Sequence, residues 1–163
     1  MLARLDSRLL YAMRTRFHGP AAESVAVWLG RIGEYGAVWL LIGIALAFID
    51  PGNGEDWALA GILGPIAICL NFAVKLAVRR PRPVLEGLPP LGGAPSSLSF
   101  PSAHATASFA CATAMTRIAP EAALLFLLAV PIAACRPYLG MHYPSDVVGG
   151  VVLGAALGLV VPL

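Results

Sequence analysis

The sequence has 163 residues, of which 58% are hydrophobic and only 12% are charged, and its mean hydropathy is +0.79. Because soluble domains carry about 25% charged residues, this composition excludes an ordinary soluble protein and indicates an integral membrane protein. The net charge of +2 and the isoelectric point near 8.6 are too small to favour nucleic-acid binding. We therefore expect the lipid bilayer, and no nucleic acid, as a partner, whereas the oligomeric state is not predicted.

Residues 1–31 form an N-terminal segment whose first part has the periodicity of an amphipathic helix. Apolar side chains recur there every three or four positions, with arginines on the other face; they are Leu2, Leu5, Leu9, Met13 and Phe17. This pattern predicts an interfacial helix that lies on the membrane surface. The alternative is a helix that packs on a neighbouring segment or on a partner.

Five apolar segments follow, and we predict that each is a membrane-spanning helix. They cover about residues 33–49, 57–78, 102–119, 121–134 and 146 to the C-terminus. The fourth is short for a bilayer unless it continues towards residue 139, and the glycines of the fifth favour close helix packing. The predicted fold class is all-α, an integral membrane helical bundle in a single domain over residues 1–163.

Residues 79–101 are rich in proline, glycine, serine and arginine, so we predict a loop outside the bilayer. If consecutive spans are antiparallel, this loop shares a membrane face with the connection between the fourth and fifth segments. That face carries most of the remaining arginines, namely Arg4, Arg8, Arg14, Arg16 and Arg31. The other face has Arg117 against four carboxylates. The positive-inside rule therefore predicts a multi-pass protein of the cell membrane with this face in the cytoplasm.

Basic and polar residues that converge on this face predict a phosphate site. Arg82 and Arg136 offer paired guanidinium donors that match phosphate oxygens, and Lys75 adds a mobile positive charge. Ser102 and the backbone amide of Ala103 open an apolar segment, where a helix N-terminus binds anions.

Two histidines and one aspartate add the groups needed for phosphoryl transfer. One histidine can attack phosphorus while a second, such as His104, protonates the departing oxygen. His142 and Asp146 are four residues apart, so in a helical turn the carboxylate would hold one imidazole nitrogen and leave the other basic. We expect no metal, because the neighbouring cations would repel a divalent ion, and no cofactor.

These residues fall in three spaced motifs. They are Lys75 with Arg82-Pro83 after six residues, then Pro101-Ser102-Ala103-His104, then Arg136 with His142 after five residues and Asp146 after three more. Together and in this order, the motifs resemble the signature of the type 2 phosphatidic acid phosphatase (PAP2) superfamily. The resemblance spans nearly half of the chain.

The resemblance implies a helical membrane phosphatase that needs no metal and works through a phosphohistidine. It also implies residue roles: His142 is the nucleophile, Asp146 orients it, and His104 is the general acid. The phosphate would be held by Lys75, Arg82, Ser102, Ala103 and Arg136.

Two positions depart from the pattern of the superfamily. Ala103 replaces the usual glycine, which is harmless unless the backbone needs a positive φ, and Cys135 replaces the usual serine, a stronger hydrogen-bond partner. The pair Arg80-Pro81 also imitates Arg82-Pro83, although the six-residue spacing favours Arg82. Arg79 and Arg80 remain open between a role in the site and anchoring at the membrane surface.

Members of the superfamily act on several lipid phosphates, and the motifs do not choose among them. The alanine-, glycine-, arginine- and valine-rich composition resembles that of short actinobacterial members, which implies decaprenylphosphoryl-5-phosphoribose as the substrate, in the synthesis of cell-wall arabinan precursors. The alternatives are undecaprenyl diphosphate, phosphatidic acid and phosphatidylglycerol phosphate. An alternative of another class is a catalytically silent protein that binds or transports a lipid phosphate.

Overall fold

The computed structural model describes residues 2–93 and 97–163, and every regular element in these two ranges is a helix. The α-helices are α1 (Leu2–Thr15), α2 (Pro20–Ile32), α3 (Ala37–Ile49), α4 (Gly54–Val78), α5 (Ala103–Ile118), α6 (Phe126–Tyr138) and α7 (Pro144–Val160). Short 3-10 helices at Glu34–Gly36, Pro51–Asn53 and Pro120–Leu125 lead into α3, α4 and α6. The prediction of an all-helical membrane fold is confirmed.

Two helical stretches in the described ranges are long and apolar enough to cross a membrane, Pro51–Val78 and Pro120–Tyr138. A third qualifies if Pro20–Ile32 and Glu34–Ile49, which meet at 51°, count as one bent span. All five segments predicted to span are helices, but α7 is shorter and α5 has 16 residues, or about 24 Å at 1.5 Å per residue. Length and composition therefore support two or three spans rather than five.

The fourth predicted segment is longer than its apolar run suggested. The 3-10 helix Pro120–Leu125 continues directly into α6, so the two form a stretch of 19 residues ending at Tyr138. This extension carries Arg136 to the same end of the bundle as the C-terminus of α4 and the N-termini of α5 and α7.

Helix α5 lies at the centre of the bundle and packs against α4, α6 and α7. Its buried residues are mostly small, so neighbouring backbones approach closely; they include Ala105, Ala107, Ala110, Ala112 and Ala114. Most of the larger core side chains come from the surrounding helices, with Trp39 and Ile132 fully buried, and α5 adds Met115.

Glycines on α7 form the surface that faces α5. A Cβ atom added at Gly150 would lie 2.6 Å from the carbonyl oxygen of Ser102, and one at Gly158 would lie 2.5 Å from that of Ala110. Both distances are too short for a real side chain, and Gly154 is similarly crowded. The close approach sets the N-termini of α5 and α7 side by side.

Helix α1 packs on the bundle through residues four positions apart. Asp6, Leu10 and Arg14 are buried against α6, α7 and the loops near them, and Arg14 donates to the carbonyl oxygens of Pro89 and Tyr138. Arg14 is therefore not on an outward polar face with the other arginines. Three side chains of the apolar stripe, Leu5, Leu9 and Phe17, stay outward, with Leu5 53% exposed. One face of α1 therefore packs on a neighbouring segment, as the second alternative expects. The other face is apolar and exposed, as expected of an interfacial helix.

We predict that Gly154→Ala lowers the thermal unfolding midpoint of the purified protein. The added methyl group must push α7 away from α5, and such overpacking costs about 1–3 kcal/mol, which exceeds the gain of up to about 1 kcal/mol in helix propensity. Gly19→Ala is the control, because no atom lies within 4 Å of a Cβ at that position. An unchanged midpoint for Gly154→Ala would contradict this account of the packing.

Candidate active site

The turn between α6 and α7 carries His142 at the end of the bundle where α5 begins. Gly140 adopts a φ of 78°, which is open to glycine with little strain, and lets the chain reverse after α6. The backbone N–H of Met141 donates to the carbonyl of Arg136 over 3.0 Å. His142 follows this turn and is 2% exposed.

His142 and Asp146 face each other across the start of α7. Nδ1 of His142 lies 3.5 Å from Oδ2 of Asp146, longer than an ordinary hydrogen bond, and Oδ2 also accepts the backbone N–H of Tyr143 over 2.8 Å. The predicted contact is therefore present in a loose form. The two residues do not meet through the spacing of one helix, because His142 precedes α7. Instead, the Asp146 side chain caps the first turn of α7 and so lies next to His142.

The contact with Arg82 determines which ring nitrogen of His142 carries the proton. Nη1 of Arg82 lies 3.2 Å from Nε2 of His142, and since a guanidinium group only donates, Nε2 must carry the lone pair. Nδ1 then carries the proton of the neutral ring and points to Asp146. The basic nitrogen of His142 therefore faces a cation that can hold a phosphate oxygen.

Burial and charge lower the pKa of His142. Burial lowers the pKa most, the contact with Asp146 raises it, and the cations Arg82, Arg136 and Lys75 lower it; together they bring the pKa to about 4. The ring is therefore neutral at pH 7. Burial and Arg136 also lower the pKa of Arg82 to about 10, so this guanidinium remains charged.

Loop residues hold Arg82 in place. Its Nε and Nη2 donate to the backbone oxygen and hydroxyl of Ser97, and its Nη1 donates to the carbonyl of Met141 over 2.7 Å. Arg82, and not Arg80, contacts His142, which agrees with the six-residue spacing from Lys75. Arg79 caps α4 with its side chain exposed, and its Nε donates to the carbonyl of Leu76.

Lys75 is buried in the last turn of α4. It is 5% exposed, and its Nζ donates to the carbonyls of Leu98 and Ser99 at 2.7 and 3.3 Å. An anchor at the membrane surface would extend its charge into water, so the buried position of Lys75 does not fit such a role. Nζ is close enough to interact electrostatically with Arg82, Arg136 and Asp146.

Ser102 and Ala103 begin α5 with groups suited to an anion. The Oγ of Ser102 is buried and has no hydrogen-bond partner among the described residues, whereas its N–H donates to the carbonyl of Asp146 over 2.9 Å. Ala103 is the first helical residue, so its N–H has no partner within the helix. Because its backbone is helical, alanine replaces glycine there without strain.

Arg136 closes another side of the site. The residue is 5% exposed; its Nη2 lies 2.7 Å from the sulfur of Met141, and its Nε has no partner among the described residues. It also lines a cavity of about 70 Å³ between α2 and residues 91–93, which includes Arg31 and Glu34. The thiol of Cys135 donates to the carbonyl of Ile132 and is close enough to interact electrostatically with Arg136.

His104 is held by a residue that the sequence analysis did not identify. Nε2 of His104 lies 2.8 Å from the carbonyl oxygen of Gly30 on α2, so Nε2 is the protonated nitrogen of the neutral ring. The ring is close enough to interact electrostatically with Arg136 and His142. A carbonyl carries no sequence signal, and nothing in the α2 pattern could have identified this partner.

Arg80 and Asp6 are further residues at this end. Arg80 donates to Asp146 through Nη1 over 2.8 Å and to Asp6 through Nη2 over 2.6 Å. The only signal for Asp6 was its position as the sole carboxylate in an arginine-rich helix. Within the described residues, no group of three or more histidine, cysteine, aspartate or glutamate side chains is placed to hold a metal ion.

Comparison with known proteins shows which family this chain belongs to. The fold resembles the crystal structure of a PAP2-type phosphatidylglycerolphosphate phosphatase from Bacillus subtilis, with a TM-score of 0.74 and 23% identity over 97% of this chain and 83% of that one. A family model described as the PAP2 superfamily matches residues 57–163. The chain therefore belongs to the PAP2 superfamily, and it is a membrane lipid phosphatase.

Two curated relatives cover most of the chain. A decaprenylphosphoryl-5-phosphoribose phosphatase of Mycobacterium tuberculosis is 39% identical over 142 residues, which are 87% of this chain and 80% of the relative. An undecaprenyl-diphosphatase of Bacillus subtilis is 27% identical over 143 residues, which are 86% of this chain and 74% of the relative. Both names describe enzymes that act on polyprenyl lipids.

We predict that His142 makes the folded protein sensitive to mild acid. Its pKa is near 6.5 in an unfolded chain and about 4 in the fold. Above pH 6.5 the ring is neutral in both states, but between these values only the unfolded state binds the proton, so stability falls as the pH falls. The unfolding midpoint of the wild type should drop more steeply from pH 7 to pH 4 than that of His142→Gln. Parallel curves would contradict the lowered pKa.

Proposed function

We propose that this protein hydrolyses decaprenylphosphoryl-5-phosphoribose without a metal, through a phosphohistidine formed on His142. The observation that carries the proposal is the geometry of one imidazole. Its basic Nε2 lies 3.2 Å from the Arg82 guanidinium, and its Nδ1–H faces the buried carboxylate of Asp146. A neutral nucleophile beside a phosphate-binding cation, with a carboxylate behind it, is arranged to attack phosphorus.

In the first step Nε2 of His142 attacks the terminal phosphorus. The new N–P bond forms as the bond from phosphorus to the leaving oxygen breaks, and its electron pair stays on that oxygen. His104 gives the oxygen a proton, so the leaving group departs as an alcohol. Because Nε2 of His104 is held by the Gly30 carbonyl, the proton comes from Nδ1. His104 is neutral before the substrate binds, and the negative charge of the bound phosphate group favours the doubly protonated ring that this step needs. Asp146 stabilises the positive charge that the bond places on His142.

In the second step water attacks the phosphohistidine. His104, now neutral, accepts a proton from the water as the oxygen–phosphorus bond forms. The N–P bond breaks, and its electron pair returns to Nε2 of His142. Inorganic phosphate leaves, and both histidines are restored to their starting protonation.

The phosphate oxygens are held by donors that converge from three helices and a loop. Arg82 and Arg136 pair with them through guanidinium N–H groups, and Lys75 adds charge from behind. The Oγ of Ser102 and the amide of Ala103 bind from the start of α5. The unpaired Oγ of Ser102 and Nε of Arg136 support this assignment, because buried donors without partners are unfavourable unless a ligand satisfies them.

The substrate choice rests on two observations. The relative that acts on decaprenylphosphoryl-5-phosphoribose is more similar to this chain than the undecaprenyl-diphosphatase, at 39% against 27% identity over a comparable length. In addition, the cavity next to Arg136 has the polar side chains Arg31 and Glu34 in its wall, which suits the hydroxyls of a sugar. Undecaprenyl diphosphate, phosphatidic acid and phosphatidylglycerol phosphate are the alternative substrates.

We also propose that the site faces the cytoplasm across the cell membrane. The end of the bundle with His142 carries Arg4, Arg8, Arg16 and Arg31, in addition to the site cations. At the other end Arg117 donates to the last carbonyls of α7, Gly158 and Val161, among acidic residues. The positive-inside rule favours this orientation.

Phosphate release by the purified protein tests the activity. With excess EDTA, we expect faster release from decaprenylphosphoryl-5-phosphoribose than from undecaprenyl diphosphate or phosphatidic acid, and none above background from His142→Ala, which lacks the nucleophile. Release only from another lipid would overturn the substrate and keep the mechanism. Activity that returns only with added metal, or that survives in His142→Ala, would overturn the mechanism.

Cysteine labelling in intact cells tests the orientation. In a variant with Cys69, Cys111 and Cys135 replaced by alanine, Glu86→Cys marks the end with the site and Glu55→Cys marks the other end; both positions are exposed. A membrane-impermeant maleimide should label Glu55→Cys directly and Glu86→Cys only after the cells are permeabilised. The reverse pattern would place the site outside the cytoplasm.

A further inference from the structure

A chain of hydrogen bonds runs from the surface helix α1 to the catalytic pair. Asp6 on α1 accepts from Nη2 of Arg80 over 2.6 Å, and Nη1 of Arg80 donates to Oδ1 of Asp146 over 2.8 Å. The other oxygen of Asp146 faces His142. The path therefore has one cation between two carboxylates, and it ends at the nucleophile.

The two carboxylates of this path are shielded from water, so their pairing is specific. Asp146 is fully buried and Asp6 has a side chain only 8% exposed, whereas Arg80 is 26% exposed. Removing one partner of a buried pair leaves an uncompensated charge and is strongly unfavourable. The guanidinium group of Arg80 also lies over the ring of Tyr143, 4.1 Å from its centroid, which restricts its orientation.

Asp6 also binds the first turn of α7 directly. Its Oδ1 accepts the backbone N–H of Ser145 over 3.0 Å, and its Oδ2 accepts the hydroxyl of the same residue. Burial raises the pKa of Asp6, but the bonds from Ser145 and Arg80 outweigh it and leave the pKa below its usual value. The carboxylate is thus charged at pH 7, and a negative charge at a helix N-terminus is favourable.

Nη1 and Nη2 of Arg80 are already engaged in hydrogen bonds within the protein. Nη1 is shared by Asp146 and the hydroxyl of Ser145, and Nη2 donates to Asp6. By contrast Arg82, two residues later, contacts His142. Arg80 and Arg82 therefore have different partners, although each is followed by a proline in the sequence.

We propose that Arg80 and Asp6 are positioning residues: Arg80 fixes the Asp146 carboxylate behind His142, and Asp6 on α1 fixes Arg80 and the first turn of α7. This inference rests on the proposed function, because it assumes that His142 and Asp146 act as a pair. The reason for the effect is geometric. With Oδ1 held by Arg80 and Oδ2 capped by the Tyr143 amide, the carboxylate cannot rotate away from the imidazole.

Steady-state kinetics of the full chain in detergent test the proposal, with the lipid phosphate that the wild type hydrolyses fastest. We expect Arg80→Gln to lower kcat by roughly tenfold to a hundredfold, because a small misplacement of a catalytic group has effects of this size. KM should stay within about twofold, since Nη1 and Nη2 of Arg80 are already engaged by Asp146, Ser145 and Asp6. Asp6→Asn should lower kcat by a smaller factor, and Arg80→Lys should recover part of the loss.

Arg79→Gln is the matched control, because Arg79 is the adjacent arginine, is exposed, and bonds only within α4 among the described residues. It should keep the kcat of the wild type. If Asp6 acts through Arg80, the double variant Asp6→Asn with Arg80→Gln should be no slower than Arg80→Gln alone, whereas independent effects would multiply.

The outcomes separate this inference from the proposed function. Equal kcat for Arg80→Gln and Arg79→Gln, with His142→Ala inactive, would overturn the inference and keep the function. A rise in KM at constant kcat would also overturn it, by making Arg80 a phosphate ligand. An active His142→Ala would reject the function itself. If Arg80→Gln does not fold, as judged by its unfolding midpoint, Asp6→Asn and Arg80→Lys carry the comparison.

Discussion

The site depends on one buried carboxylate among several cations. Asp146 is fully buried, and an ionised carboxylate is stable there only if it is paired and hydrogen-bonded. Arg80 and the Tyr143 amide meet that need. The remaining cations, Lys75, Arg82 and Arg136, repel one another across a poorly solvated space, so the local charge favours an anion. Burial, with a smaller contribution from these cations, keeps His142 neutral, as the proposed nucleophile must be.

Backbone packing places this carboxylate. Because α7 presents glycines to the small residues of α5, the two helices lie close enough for the Ser102 N–H to donate to the Asp146 carbonyl. The first turn of α5 then points its free N–H groups to the region of His142, whereas the Ser145 N–H at the start of α7 donates to Asp6. The dipole of α5 adds to the positive potential there. Larger side chains on this surface would separate the helices, and the distance between Ser102 and His142 would grow with them.

Residues that lie in short motifs were predictable from the sequence. His142, Asp146 and Arg82 stand at fixed spacings, and the structure brings them into contact. The helices were also predictable, because long apolar runs and their proline and glycine boundaries are local signals. The bend of 51° between α2 and α3 was not, since it depends on how the two helices meet the bundle.

Contacts between distant parts of the chain could not be predicted in this way. Asp6 meets Ser145 across 139 residues, and His104 meets the Gly30 carbonyl across 74. Amphipathic periodicity shows that α1 has an apolar stripe, but it does not show which polar side chains turn towards the protein. For this reason Arg14 was grouped with the outward arginines, although it is buried.

The position of α1 has a practical consequence for work with the recombinant protein. Asp6 lies in the second turn of α1, so an affinity tag or fluorescent fusion placed just before α1 would be close to Arg80 and the first turn of α7. The last turn of α7 lies at the opposite end of the bundle, where Arg117 binds its carbonyls. A tag attached after Leu163 is therefore the better choice for purification.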